Sequence, residues 1–348
     1  MSHKTPLFCL KYSLLVIFLL FLQDGFAQTN FKKIENLIQE KQDVLGKDIV
    51  AMIWKDTLVY KKEMGDFKSR TQAPIASCSK WLTAALVMIF VDEGKLSLDD
   101  KVSKYLPIYA KYGKSYITIR HCLSHVTGIQ SEPIKLLKLL ERQKHKSLED
   151  EVDDFAKKEI QNNPGVEFRY SNIGLNIAGR VLEVISRKKF DQLIQLRLLR
   201  PLGMRYTTFS NYESSVNPSG GAKSTADDYM KFLVMLLNKG MYHGQRILSE
   251  ESIKQLRLVQ TKPEQIKYAP KAAAGYNYAL GSWVMEQDSN GNATVLSSPG
   301  LFGTWPVIDF CRGYAYLFFV KNLLGEERAE THLEIKKLID EQITSQCK

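Results

Sequence analysis

The sequence predicts an α+β fold, with one antiparallel sheet built from both chain ends, flanked by helices, and a mainly helical lobe inserted between the two halves of the sheet. Three observations carry this. Strand-like runs lie early, at Asp48–Trp54 and Thr57–Lys62, and again late, at Tyr278–Glu286, Ala293–Ser297, Thr304–Phe310 and Tyr314–Val320. Between them the apolar residues recur at helical spacing. Strands and helices are segregated along the chain, unlike the regular alternation that builds a parallel sheet.

Taken in order, the chain opens with a targeting segment. Lys4 and Lys11 make a basic start, Ser13–Leu22 is apolar throughout, and Gly25-Phe26-Ala27 offers the small residues a signal peptidase needs. That apolar run is shorter than the roughly 20 residues a bilayer crossing takes. Residues 1–27 therefore read as a signal peptide, with Gln28 as the first mature residue and a periplasmic or secreted destination. No stable membrane insertion is expected after cleavage, and an uncleaved segment would act as an anchor. Cys9 precedes the apolar run, so it is not placed for lipidation.

Residues 30–45 set Phe31, Ile34, Leu37 and Ile38 on one helical face. The two early strands are hinged at Lys55-Asp56. Ser79–Glu93 is apolar enough for a buried helix, and Gly94 ends it. Helical stretches follow at Ile119–Ser124, Ser147–Ile160, Ile173–Ser186, Phe190–Leu199 and Ala226–Asn238. Loops at Asn162–Gly165 and Asn217–Gly221 punctuate them. Gly291 and Gly313 mark turns between late strands, and Ala329–Ile343 closes the chain as a helix. These elements make residues 28–348 one structural unit: a sheet lobe of about 28–75 and 275–348, and a helical lobe of about 76–274.

Composition narrows the function. Of 348 residues 44% are hydrophobic and 25% charged, which suits a large core and argues against disorder. The formal net charge is +10, or +9 once Lys4, Lys11 and Asp24 leave with the signal segment. Such a balance favours anionic surroundings such as cell-wall polymers or lipid head groups. No Lys/Arg run is interleaved with aromatics, so nucleic acid is not an expected partner. Cys78, Cys122, Cys311 and Cys347 show neither a CxxC pair nor zinc spacing. Two disulfides, in any of three pairings, and free buried thiols both remain open. His121 and His125 lie four apart, but no third ligand stands at a suitable spacing and HExxH is absent, so no metal is expected. Asn292-Ala293-Thr294 fits a glycosylation triplet, a match of little weight.

The chemistry starts at Ser77-Cys78-Ser79-Lys80. A serine three residues before a lysine at a helix start puts both side chains on one face, a turn apart. A serine hydroxyl needs a neighbouring base to become a nucleophile. A lysine can be that base if burial lowers its pKa, and Ile75, Trp81 and Leu82 supply apolar neighbours. The backbone N–H of Ser77 is offered to an oxyanion at the helix N-terminus. The second cluster is Phe168-Arg169-Tyr170-Ser171-Asn172, between the Pro164-Gly165 turn and the apolar helix Ile173–Ile185. Tyr170 can relay protons when cations lower its pKa, and Asn172 can orient both Lys80 and a substrate amide. An ordinary helix cap beside a buried tyrosine is the alternative.

Several ordered stretches then carry a resemblance: Ala73–Lys80, Glu93–Asp100, Ile117–Ile129, Tyr170-Ser171-Asn172, Pro201–Met204 and Gly220–Asp228. Together the chain resembles the serine β-lactamase and penicillin-recognising DD-peptidase superfamily, nearest to class C β-lactamases and related esterases and peptidases. The resemblance implies a β-lactamase/transpeptidase-like fold and a cleft between the two lobes. It implies Ser77 as nucleophile, Lys80 as its proton partner, Tyr170 as general base and acid, and Asn172 as a ligand of substrate and lysine. No metal or organic cofactor is implied, and deacylation would run through Tyr170 and Lys80, since no Glu-x-x-Leu-Asn is present.

The third family motif departs from pattern. Relatives carry Lys or His, a small residue or Pro, and then Gly on the strand lining the site; here the segment is Ser297-Ser298-Pro299-Gly300-Leu301-Phe302-Gly303-Thr304. Ser298 stands where the cation belongs, Gly300 permits close approach, and the Leu301 N–H is the expected second oxyanion donor. Lys223-Ser224-Thr225 lacks the glycine and precedes a helix, so it is not that motif. Losing a charge-assisted hydrogen bond, worth about 1.5–3 kcal/mol, should hurt substrates with an obligatory carboxylate most. The expected activity is thus an esterase or peptidase on small-molecule or cell-wall peptide substrates, with poor β-lactam turnover. The rivals are a D-alanyl-D-alanine carboxypeptidase and a penicillin-binding-like sensor with little turnover.

Overall fold

The computed structural model describes residues 31–131, 145–210, 215–320 and 328–347. The expected signal peptide and its cleavage site lie outside the described residues. Seven antiparallel strands form the main sheet: β1 (Ile49–Lys55), β2 (Thr57–Met64), β3 (Asn277–Tyr278), β4 (Trp283–Gln287), β5 (Ala293–Ser297), β6 (Trp305–Asp309) and β7 (Tyr314–Val320). Their spatial order is β2-β1-β7-β6-β5-β4-β3. The two chain ends meet in the register Ile49↔Val320 to Trp54↔Ala315, where β1 pairs β7. This is the antiparallel α+β arrangement that the segregation of strands predicts.

Period-two alternation explains why β7 is buried along its whole length. Val50, Met52, Leu317 and Phe319 face the helical lobe, within the larger core. Ile49, Ala51, Ile53, Tyr316, Phe318 and Val320 face the opposite way, under Ile34, Ile38, Ile335 and Ile339. Those four come from the helical residues 31–40 and the closing helix, so each face of the sheet has its own cover.

The main helices are α1 (Ser79–Asp92), α2 (Leu148–Lys157), α3 (Ile173–Ser186), α4 (Ala226–Leu237), α5 (Glu250–Arg257) and α6 (Ala329–Asp340). Every residue of α1 from Ser79 to Phe90 is buried, as a helix that is apolar all round must be. Side-chain caps start α2, α4 and α5: Ser147 accepts from Asp150 N, Thr225 from Asp228 N and Ser249 from Ser252 N. Each such cap contributes about 1 kcal/mol.

Three readings change in the structure. The strand expected over Tyr278–Glu286 is split into β3 and β4, because Gly281 adopts φ +79° and passes against α1. A Cβ there would lie 2.6 Å from Ala84 Cβ and 2.9 Å from the Lys80 carbonyl oxygen. The helix from Phe190 widens into a π-type turn over Gln195–Leu199. Cysteine usage is mixed, with one disulfide, Cys311–Cys347, and Cys78 and Cys122 as buried free thiols. No helix among the described residues is long and apolar enough to cross a membrane.

Candidate active site

Ser77 lies in the tight turn Ala76–Cys78 that leads into α1. Ala76, just before it, has φ +44°, a left-handed conformation costly for any residue with a Cβ and found where the surrounding structure enforces it. The enforcement is visible. Ile75 N–H donates to the Ala222 carbonyl at 3.0 Å, and the Ala222 N–H donates to Ser79 Oγ at 3.0 Å. Tyr229 in α4 donates its hydroxyl to the Cys78 carbonyl at 2.9 Å. Lys223-Ser224 pairs with Ala73-Pro74, and Thr225 caps α4, so this segment is scaffold beneath the turn.

One helical turn on, Lys80 is fully buried. Its Nζ lies 3.2 Å from Ser77 Oγ, 3.2 Å from Asn172 Oδ1 and 2.9 Å from the Ser219 carbonyl oxygen. Burial disfavours the ammonium form and pushes its pKa down to about 7. Asn172 occupies the N-cap of α3 but makes no side-chain cap bond there, and its amide oxygen serves Lys80.

Tyr170 is 3% exposed, and the Lys80 amine stands 4.8 Å from its ring centroid. Burial raises its pKa well above the ordinary phenol value, and a hydrogen bond with Ser77 opposes that shift only in part. Desolvation prevails, and the resting phenol keeps its proton. His125 and Trp283 pack against this ring, with centroids 4.7 Å and 5.1 Å away. His125 Nδ1 accepts from Ser171 N–H at 3.4 Å, so its Nε2 carries the proton and donates to Tyr278 Oη at 3.1 Å. Burial and the Lys80 charge hold that imidazole neutral. His121 is used elsewhere, its Nδ1 accepting the Thr118 N–H in a capping box. The two histidines four apart therefore serve separate structural tasks.

The third segment divides. Ser298 is 2% exposed, and its hydroxyl faces the Ser77 and Gly281 carbonyls at 3.3 and 3.4 Å. It braces the Ser77 turn, and the cleft beside Ser77 is lined instead by Tyr170, Trp283, Pro299, Gly300, Leu301 and Arg328. The volume there is about 70 Å³. Gly300 is a requirement, since a Cβ would meet the Ile75 carbonyl oxygen at 2.4 Å. Arg169, next to Tyr170 in sequence, does not replace the missing cation, since its guanidinium pairs with Glu167 at 3.0 Å.

Sequence reasoning missed Arg328, Ser219 and Trp283. Arg328 is 3% exposed and donates from Nη2 to the Gly300 carbonyl at 2.6 Å. Its charge reaches the Ser77 turn, where it counters the burial-driven rise of the Cys78 pKa. No motif flags an arginine so far along the chain, and Ser219 contributes only a backbone oxygen. A larger cavity of about 870 Å³, lined by Trp54, Arg70, Arg205, Tyr206 and Lys231 among others, includes none of Ser77, Lys80 or Tyr170.

The Beta-lactamase family profile matches residues 34–339, and the chain belongs to that family. A Mycobacterium tuberculosis protein, Rv1367c, is 26% identical, the match covering 78% of this chain and 85% of that one. The crystal structure of a Bacteroides dorei protein assigned as a beta-lactamase superposes with a TM-score of 0.79 at 26% identity, covering 90% of this chain and 98% of the other. EstCE1, a hydrolase with promiscuous acyltransferase activity, shares the fold with a TM-score of 0.76 at 20% identity, covering 90% and 99% of the two chains.

Proposed function

We propose that this β-lactamase-family chain is an exported serine hydrolase that forms an acyl-enzyme on Ser77 and turns over ester, amide or D-amino-acid peptide substrates. An esterase or peptidase fits better than an efficient β-lactamase. The observation that carries the reading is the Lys80 amine, buried, 3.2 Å from Ser77 Oγ and neutral above about pH 7. A neutral amine has two N–H donors and one lone pair. With the donors directed to the Ser219 carbonyl and Asn172 Oδ1, the lone pair is left for the Ser77 hydroxyl.

Ser77 Oγ then attacks the substrate carbonyl carbon while its proton passes to Lys80 Nζ. The oxyanion is received by the backbone N–H groups of Ser77 and Leu301. As the tetrahedral intermediate collapses, the leaving group takes a proton from the Tyr170 hydroxyl, which is resupplied by Lys80. Water repeats the sequence on the acyl-enzyme and releases the acid. The raised Tyr170 pKa favours this division, with Lys80 as resting base and Tyr170 as relay.

Three features support the substrate class. The volume beside Ser77 suits a short acyl group. Ser298 supplies no cation to the cleft, and the Arg328 guanidinium that borders it donates from Nη2 to the Gly300 carbonyl. EstCE1 is a hydrolase with acyltransferase activity, and acyl transfer needs the same covalent intermediate.

The test is turnover of p-nitrophenyl acetate and labelling by a fluorophosphonate, each compared with Ser77→Ala. Turnover lost in Ser77→Ala supports the enzyme, whereas labelling without turnover supports the sensor reading that Ser298 favours. Efficient hydrolysis across a penicillin panel would overturn the preference for esters and peptides.

A further inference from the structure

We propose that Asn176 and Glu151 are positioning residues for the Ser77–Lys80 pair, fixing the Ser219 carbonyl at the point where it receives the Lys80 amine. The kinetic part of this inference rests on the acyl-enzyme reading above. The structural part does not.

Asn176 lies inside α3, one turn beyond Asn172, and is fully buried. Asparagine is a poor choice for a helix interior, and an apolar side chain would suit the surrounding core. An amide left without partners there would destabilise the fold. Both ends of this one are used. Its Oδ1 accepts the Ser219 N–H at 3.0 Å, and its Nδ2 donates to Glu151 Oε2 at 3.1 Å. Glu151 is itself only 4% exposed, on the inner face of α2.

A single peptide unit thus links scaffold to chemistry: the Ser219 N–H points to Asn176 and its C=O to Lys80. Asn217 Oδ1 also takes the Ser219 N–H, at 3.1 Å, and Thr83 Oγ1 donates to the Pro218 carbonyl at 2.6 Å. Those contacts hold the loop to itself and to α1; Asn176 ties it by a hydrogen bond to the helix that carries Asn172, where Pro218 also packs over Gly179. The two acceptors of Lys80 therefore have a common origin, four residues apart on α3. Glu151 sets which way the Asn176 amide faces, since its carboxylate can only accept. With both acceptors fixed, the amine cannot turn its lone pair away from Ser77. The other titratable groups facing Lys80 are Tyr170, His125 and Cys78.

The experiment reads two quantities in the full chain: the rate of Ser77 labelling by a fluorophosphonate, and the titration midpoint of Lys80. The midpoint comes from the Cε resonance in protein carrying 13C-lysine, assigned with Lys80→Arg. Asn176→Leu is expected to slow labelling roughly tenfold to a hundredfold, as misplacement of a reacting group does. It should also move the Lys80 midpoint down by about one pH unit, because the ammonium form loses a hydrogen-bond acceptor. Glu151→Leu should act in the same direction. Glu151→Gln keeps an amide oxygen for the Asn176 NH2 group and should stay within about threefold of the parent rate.

A folded Asn176→Leu protein that moves neither rate nor midpoint overturns the proposal, even if it melts at a lower temperature. Equal damage from Glu151→Gln and Glu151→Leu overturns the part assigned to Glu151. Should Asn176→Leu fail to fold, Asn176→Ser, too short to reach both partners, is read in the same way. If the parent protein resists labelling while the midpoint still moves in Asn176→Leu, the acyl-enzyme reading fails and the positioning role stands.

Discussion

Arg328 Nη2 donates to the Gly300 carbonyl at 2.6 Å, joining the start of α6 to the turn that passes in front of Ser77. The bond is charge-assisted, buried, and directed at the residue whose next N–H is the proposed oxyanion donor. Replacing Arg328 with Ala leaves that carbonyl without its donor and frees the turn. We expect kcat/KM for p-nitrophenyl acetate to fall roughly tenfold to a hundredfold, about 1.5–3 kcal/mol of transition-state stabilisation. Arg328→Lys should recover only part of this, since an ammonium cannot reproduce the planar fork. A parent-like rate in Arg328→Ala would remove Arg328 from any part in the site.

Lys80 makes activity and stability depend on pH in the same sense but over different windows. Acylation needs the neutral amine, so its rate should fall as pH drops through about 7. Stability follows from linkage. With the folded value near 7 and an ordinary value of 10.5, the unfolded chain binds the extra proton anywhere between them. Stability from this group therefore rises as pH climbs from 7 to 10.5, and levels off below 7, where both states are protonated. Keeping the amine buried at pH 7 costs on the order of 5 kcal/mol at the outside. Lys80→Met should abolish activity yet melt higher than the parent at pH 7, with the gap narrowing towards pH 10. Thermal unfolding of both proteins at pH 7, 8.5 and 10 checks this; a lower melting point for Lys80→Met at pH 7 would refute the burial cost.

Much of the fold was legible because its signals are local. The strand boundaries of β5 and β7 and the full extent of α3 follow from alternation and helical spacing alone. The break at Gly281 was not, because it comes from a backbone pressed against α1, some two hundred residues earlier. The site divides along the same line. Ser77 and Lys80 are one turn apart in sequence, so their meeting is dictated by helix geometry. Ser219 and Arg328 arrive through tertiary packing, one as a bare carbonyl and one from a helix with no motif. The direction of the Tyr170 pKa shift was not legible for a related reason. Counting cations in the sequence ignores desolvation, and three aromatic rings around Tyr170 make desolvation the larger effect.

The Cys311–Cys347 disulfide closes a loop between partners 36 residues apart, pinning the tail after α6 to the end of β6. Constraining an unfolded loop of that size stabilises the native state by roughly 3–4 kcal/mol in the chain-entropy account. Cys347→Ser should therefore lower the melting temperature by several degrees while leaving kcat/KM at 25 °C unchanged, because neither cysteine lines the cleft. Reducing agent should have the same effect on the parent and none on Cys347→Ser. Equal melting points in oxidised and reduced parent would show that the bridge contributes nothing.

Tyr170→Phe separates the relay from the base. The substitution keeps the ring that packs against His125, Trp283 and Tyr278, so the melting temperature should hold or rise slightly. What is lost is one hydroxyl, the group that hands a proton to the leaving atom, and the expected fall in kcat is on the order of 10²–10⁴. The loss should depend on the leaving group. p-Nitrophenolate departs without protonation, so the activated ester should suffer least, and an alkyl ester or amide most. The acid limb near pH 7 should remain, since Lys80 is untouched and still titrates there. If instead Tyr170→Phe erased that limb while the folded protein kept measurable turnover, Tyr170 would be the resting base, and the division of labour argued from the two pKa shifts would be reversed.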